Sequence, residues 1–220
     1  MSNTAPSVVN PIPFDTCNAP GPVRPATLDY DIGLAIATVI VQRLEPFCVP
    51  GKIVVAGSIR RHRARVGDID IVLMPKPGQE AALRARILEK CVQVSEGEHS
   101  LIANLFLPPS AGMPRAESCV QLDVWFTRPA VTDLAGTIPG NWGTVLLCRT
   151  GSMAHNIHIC ECAERVGLHW SPCIGLTRIL NPKEVERGVP ARYEIVASET
   201  EEAIFTALGI DFVPPEKRER

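Results

Sequence analysis

Three aspartates sit where aspartate is expensive. Asp68 and Asp70 are one residue apart inside the apolar run 68-DIDIVLM-74, and Asp123 lies within a second such run, 119-CVQLDVWF-126. Residues two apart on a strand share a face, so Asp68 and Asp70 project together. A carboxylate buried without a partner costs several kcal/mol or takes up a proton, and two side by side also repel. A divalent cation removes both objections. Mg²⁺ prefers carboxylate oxygens and completes its shell with water and substrate phosphate. Three aspartates on adjacent strands can hold two such ions about 3.5–4 Å apart, the arrangement that suits in-line phosphoryl transfer. Asp68, Asp70 and Asp123 are thus the expected metal ligands and catalytic residues, with two Mg²⁺ ions as cofactor.

The stretch 56-AGSIRRHRARVG-67 immediately before them suits phosphate. Gly57 admits close backbone approach, Ser58 offers a hydroxyl, and Arg61 offers a planar fork matched to phosphate oxygens. Gly67 lets the chain turn just ahead of the strand. Asp-x-Asp alone reads more readily as a strand with aspartates facing water. Joined to Gly57-Ser58, Arg61, Gly67 and Asp123, the catalytic reading prevails.

Positioning these residues requires a sheet. Residues 68–74 alternate, with Ile69, Ile71 and Leu73 opposite Asp68, Asp70 and Val72. Residues 52–56 and 101–107 predict further strands, and 119–126 pairs with 101–107 as a hairpin across the loop of Pro108, Pro109, Gly112 and Pro114. A helix is predicted over 27–48, capped by Thr27 and facing inward through Ile32, Ala35, Val39 and Leu44. Another covers 79–93, with Ala81, Leu83, Ile87, Leu88 and Cys91 inward. Further helices are predicted near 142–148, from about 152 to 166, and over 199–207. Residues 172–196 read as loop with one short hairpin. The end of the chain, PPEKRER, reads as solvated.

Composition excludes several classes. The 220 residues are 45% hydrophobic and 21% charged, with a formal net charge of −2, which argues against bulk electrostatic coating of nucleic acid. No apolar run reaches the roughly 20 residues of a membrane-spanning helix. Residues 1–26 are rich in Pro, Asn, Ser and Ala, read as a disordered or extended arm, and carry no secretion signal. Eight cysteines without an export signal point to reduced thiols in a cytoplasmic compartment. Cys160, Cys162 and Cys173, near His155, His158 and His169, lack zinc-ligand spacing and read as buried small apolar groups. Trp125, Trp142 and Trp170 read as core or junction residues rather than base-stacking ones.

The pattern Gly-Ser, Arg, Gly-Asp-Ile-Asp-Ile resembles the nucleotidyltransferase signature of the DNA polymerase beta superfamily, and more narrowly the X-family DNA polymerases. Asp123 in VQLDVWF matches the family's third metal-binding aspartate. The run 150-TGSMAHN-156 resembles the segment that contacts the incoming nucleotide, and 200-TEEAIFTALGIDFVPPEKRE-219 resembles the family's C-terminal end. The resemblance implies an α+β fold: a nucleotidyltransferase palm of mixed β-sheet with flanking helices over 27–130, and a small C-terminal nucleotide-binding subdomain over 131–220. It implies Ser58, Arg61 and Gly67 at the triphosphate, and Gly151 and Asn156, within a segment that includes Thr150 and Ser152, at sugar and base. It further implies Mn²⁺ as a substitute metal, Asp123 as proton acceptor, and a monomer whose partners are gapped or primer-template DNA and deoxynucleoside triphosphates.

Three departures stand beside the resemblance. The lyase and helix-hairpin-helix modules have no counterpart in the roughly 26 residues before the first helix, so a minimal polymerase from a bacterial or viral source is expected. Cys148 and Arg149 replace the aromatic pair on the sugar side. Gln121 replaces an arginine two residues before Asp123. The expected function is DNA-directed DNA synthesis in gap-filling repair. The alternatives are a template-independent nucleotidyltransferase and a catalytically inactive nucleic-acid-binding module.

Overall fold

The computed structural model describes residues 27–107, 119–133, 136–187 and 191–219. The expected arm at 1–26 and the Pro-rich loop before Cys119 lie outside the described residues. The N-terminal half contains β1 (Leu28–Asp29), α1 (Tyr30–Leu44), β2 (Cys48–Val55), α2 (Gly57–Arg60), β3 (Arg65–Val66), β4 (Asp68–Pro75), α3 (Glu80–Leu88), β5 (Cys91–Gly97), β6 (Ser100–Phe106) and β7 (Cys119–Phe126). Five of the strands form one mixed sheet in the order β2-β4-β7-β6-β5. Only β4 and β7 run parallel within it. A parallel pair needs a crossover connection, and α3 with the β5–β6 hairpin supplies it. The expected hairpin of β6 with β7 is present as an antiparallel pair.

The alternation in β4 decides how the sheet is covered. Ile69, Ile71 and Leu73 are fully buried on one face, in a core shared with Ala37 and Leu44 of α1 and Leu83 and Ile87 of α3. Val72 and Met74 on the other face lie under Trp142, Val145 and Leu146. The opposite face is therefore roofed only over the C-terminal half of β4. Its N-terminal half leaves Asp68 and Asp70 half-buried.

The remaining elements are β8 (Val131–Asp133), β9 (Gly136–Ile138), α4 (Trp142–Thr150), α5 (Met153–Arg165), β10 (His169–Ser171), β11 (Gly175–Ile179), α6 (Pro182–Val185), β12 (Tyr193–Ala197) and α7 (Glu201–Leu208). β10, β11 and β12 form an antiparallel sheet, where only one short hairpin was expected. A second core joins Leu147, Ile159, Leu168, Leu176, Ile204 and Phe205. Helix α4 contributes to both cores and is buried along most of its length.

Four local expectations need correction. The first helix starts at Tyr30, not Thr27, and buries Gly33, Ala37 and Leu44, while Ile32 and Val39 face solvent at 53% and 47% exposure. The helix approaches Val66 so closely that small residues fill the contact; a Cβ on Gly33 would sit 3.2 Å from the valine methyls. The second expected helix stops at Leu88, and 91–97 is an edge strand whose Val92 and Val94 point to solvent. Cys162 is buried as expected, but Cys160 and Cys173 are exposed. Finally, the C-terminal run is not solvated throughout: Glu216, Lys217 and Glu219 are exposed as expected, but the Arg218 side chain is fully buried. Among the described residues, no helix is long and apolar enough to cross a membrane.

Candidate active site

The register of the parallel pair builds the site. Asp70 is the direct partner of Asp123, and Asp68 is opposite Gln121. Neighbouring strands lie about 4.8 Å apart, so Asp70 and Asp123 stand side by side on the half-open face, with Asp68 two residues along. The Gln121 amide donates to Asp123 Oδ1 at 2.9 Å, and the Trp125 indole N–H makes a long 3.4 Å contact with Asp70 Oδ1. Gln121, Asp123 and Trp125 thus share a face, as the alternation predicts. Burial, then the charges of Asp68 and Asp123, push the Asp70 carboxyl up to about 7. Burial also raises Asp123, against the donated Gln121 hydrogen bond and with the Asp68 charge adding to it.

A group that binds its proton more tightly folded than unfolded loses stability as pH rises between its two pKa values. For Asp70 that window runs from 3.8 to about 7. Buried His155, held down at about 4 by burial, Arg218 and His158, acts in the opposite direction, so a difference measurement is required. Asp70→Asn is expected to raise the Tm of metal-free protein above wild type at pH 8 and to leave it little changed at pH 4. A Tm difference constant across this range would show that the carboxylates do not strain the fold.

The chain reaches the aspartates a second time through α2. Val55 pairs with Ile71, and Ala56 N–H donates to Asp70 O at 2.8 Å, so the residues that follow β2 run directly beside Asp70. Gly57 has φ +57°, and a Cβ there would overlap the Asp70 carboxylate; glycine is required on both counts. The Ser58 hydroxyl is buried and has no hydrogen-bond partner among the described residues. Gly67 needs no special backbone angle, and the space above it is open.

Other predicted contacts converge from the C-terminal half. Arg61 donates to the Thr150 carbonyl and, at 2.7 Å, to Glu219. Thr150 is fully buried, and its hydroxyl accepts from Arg60 at 2.6 Å. Gly151 ends α4 with φ +67° and lies against Arg61. The Ser152 side chain caps α5 by accepting from His155 N–H. Asn156 donates to the Cys148 carbonyl at 2.9 Å, and its Oδ1 is buried without a partner among the described residues. The Arg149 guanidinium lies 3.3 Å from the centre of the Trp125 ring. Gly57, Ser58, Arg61, Thr150 and Gly151 are thereby joined through Arg61, whereas the side chains of Thr150 and Ser152 are occupied by structural hydrogen bonds.

One assembly has no signature in the spacing of its residues. Glu201 accepts both nitrogens of the Arg60 fork, at 2.9 and 2.6 Å, and Arg218 Nη1 at 2.6 Å. It is 5% exposed and Arg218 is 0% exposed. Burial alone would raise the Glu201 carboxyl, but the two guanidiniums outweigh it and hold the pKa below its usual value. This latch fixes α2, and with it Gly57 and Ser58, to α7.

The donor set fits a hard cation by its chemistry: three carboxylates, two of them pushed upward by burial and by a neighbouring carboxylate charge. Among the described residues, no three acidic, histidine or cysteine side chains close around a single point. Gln121 and Trp125 each engage one carboxylate oxygen instead.

Comparison with known proteins agrees with this architecture. Residues 33–129 match the DNA polymerase beta palm, and residues 145–219 match the DNA polymerase beta thumb. The chain belongs to the X-family, DNA polymerase beta-like proteins. Two crystal structures of Leishmania infantum polymerase beta are similar in fold. The ternary P/T complex gives a TM-score of 0.66 at 19% identity, covering 89% of this chain and 77% of the other. The ternary gap complex gives 0.67 at 18% identity, covering 89% and 71%. The comparison with curated proteins returned no match. The expected α+β fold is borne out, and the part expected as a small C-terminal subdomain matches the polymerase beta thumb.

Proposed function

We propose that this protein is a DNA-directed DNA polymerase that adds deoxynucleotides to a primer 3′-hydroxyl by two-metal nucleotidyl transfer, filling gaps in duplex DNA. The observation that carries the reading is the in-register pairing of Asp70 with Asp123, with Asp68 beside them, in a chain with polymerase beta palm and thumb. We assign the palm to 27–130 and the nucleotide-binding subdomain to 131–220.

Asp68, Asp70 and Asp123 would hold two Mg²⁺ or Mn²⁺ ions, which when bound acidify an attacking hydroxyl and neutralise triphosphate charge. The chain's own groups do the rest. Asp123 accepts the proton of the primer hydroxyl at its carboxylate, and the Gln121 amide keeps that carboxylate in one orientation. Gly57 and the Ser58 hydroxyl, which has no hydrogen-bond partner among the described residues, receive the triphosphate. Arg61 exchanges Glu219 for phosphate oxygens, since its fork suits either. Gly151 and Asn156 border sugar and base, with Cys148 and Arg149 on the sugar side. Positioning of this kind supplies much of the acceleration in phosphoryl transfer.

Primer extension on a one-nucleotide gapped duplex, beside the single-stranded primer alone, tests the proposal. Each deoxynucleotide is supplied with Mg²⁺ or Mn²⁺, and Asp123→Asn serves as control. Complementary insertion on the gap, lost in the variant, is expected. Unselective addition to both substrates would identify a template-independent transferase, and no product on either, with metal bound, would mean that the acceptor is something other than DNA.

A further inference from the structure

Arg149 is placed oddly for a charged residue. Its guanidinium forms no ion pair and no hydrogen bond among the described residues, and it rests on the Trp125 ring at 3.3 Å. Trp125 in turn directs its indole N–H at Asp70 Oδ1 and lies two residues from Asp123 on the same strand face. The positive charge is therefore held beside the aspartates but off them, on a platform that itself touches one. A cation over an aromatic face is stabilised by the ring, so the platform stores the charge without an ion pair that would have to be broken.

The two partners come from different parts of the chain. Trp125 belongs to β7. Arg149 belongs to α4, whose first turn is tied by backbone hydrogen bonds from Gly143 and Thr144 to the carbonyls of Glu199 and Ser198. A cavity of about 160 Å³ adjoins the stacked pair, lined by Arg149 and Trp125 together with His99, Asn141 and Cys173. The guanidinium thus has a neighbouring space into which it can withdraw.

Resting on the reading of Asp68, Asp70 and Asp123 as metal ligands, we infer that Arg149 is a positioning residue that serves as a tethered counter-cation. It balances the aspartate cluster when no divalent ion is bound, and it competes with divalent ions for that cluster. A fixed positive charge and an incoming cation repel, so filling the site and moving Arg149 off Trp125 are linked steps. Through α4, that linkage connects the state of the aspartates to the C-terminal half of the molecule.

The test is Mn²⁺ binding to the full-length protein without nucleotide or DNA, followed by the loss of the free-ion electron paramagnetic resonance signal. Arg149→Met removes the charge and keeps a flexible apolar side chain on the ring. Its Mn²⁺ affinity is expected to rise roughly 5- to 20-fold over wild type at low salt, with the gain shrinking as ionic strength increases. Arg149→Lys retains a point charge and should return most of the way to wild type, which a purely structural role would not predict. Thermal melts of each variant verify folding. Equal Mn²⁺ affinity in wild type and a folded Arg149→Met overturns the inference while leaving the metal site intact. If Mn²⁺ binds neither protein, or binds both and also Asp123→Asn equally, the reading of the aspartates falls and the inference with it.

Discussion

Asp123→Asn is expected to lower the rate of nucleotide insertion by roughly 10²–10⁴-fold while leaving the fold as stable as wild type or more so. Asparagine is isosteric, and its Oδ1 can still accept the Gln121 amide at the position Asp123 Oδ1 now occupies. What is removed is a nearly buried negative charge beside Asp68 and Asp70. The metal-free protein at pH 8 should accordingly melt no lower than wild type. Loss of activity with retained or raised Tm separates a chemical role from a packing role. Single-turnover insertion measured alongside a thermal melt decides it. A rate within threefold of wild type would mean that another group takes the proton.

The second large effect is on stability. Glu201→Ala leaves two guanidiniums facing one another without their carboxylate, one of them fully buried. Breaking a buried ion pair by removing one partner costs about 3–5 kcal/mol, and for a chain of this size roughly 6–20 °C of Tm. Arg60→Ala is expected to cost less, because its side chain is 20% exposed. Replacing Glu201 and Arg218 together with leucine should recover part of the loss, since apolar groups of similar volume avoid the desolvation of the charges. Because the folded Glu201 carboxyl is held below its usual 4.5, its contribution is complete above that pH and fades as acid titrates it. A urea midpoint for Glu201→Ala equal to wild type at pH 7 would show that the triad is not a stabilising latch.

Legibility in the sequence follows how local each signal is. β4 and β7 are legible because their apolar residues alternate against the aspartates, and the strand period places Asp68 with Asp70 and Asp123 with Gln121 and Trp125. Gly57 is legible as a close approach, although the overlapping atom belongs to Asp70, thirteen residues on. The inward face of α1 is not legible: hydrophobicity nominates Ile32 and Val39, while the packing selects Gly33 and Ala37 because Val66 comes near. β5 is hidden because the helical pattern of 79–88 runs smoothly into 91–93. The Arg60–Glu201–Arg218 latch is the clearest case. Glu201 and Glu202 in the first turn of α7 look like dipole-favouring surface charges, and Arg218 sits in a polar run. Only the pairing of Arg60 with a residue 141 positions away makes the group a buried unit.

Assembly of the aspartate site also depends on the order in which the chain folds. Asp70 and Asp123 meet only through the parallel pair, which must wait for α3 and the β5–β6 hairpin to bring the chain back. Pairing of this kind closes a long loop before it gains contacts, and it slows folding. A slip of one residue in that pairing would turn Asp123 toward the apolar core and Leu122 toward solvent. The aspartate cluster is therefore among the last features to form, and no partly folded intermediate lacking β7 can bring its three carboxylates together.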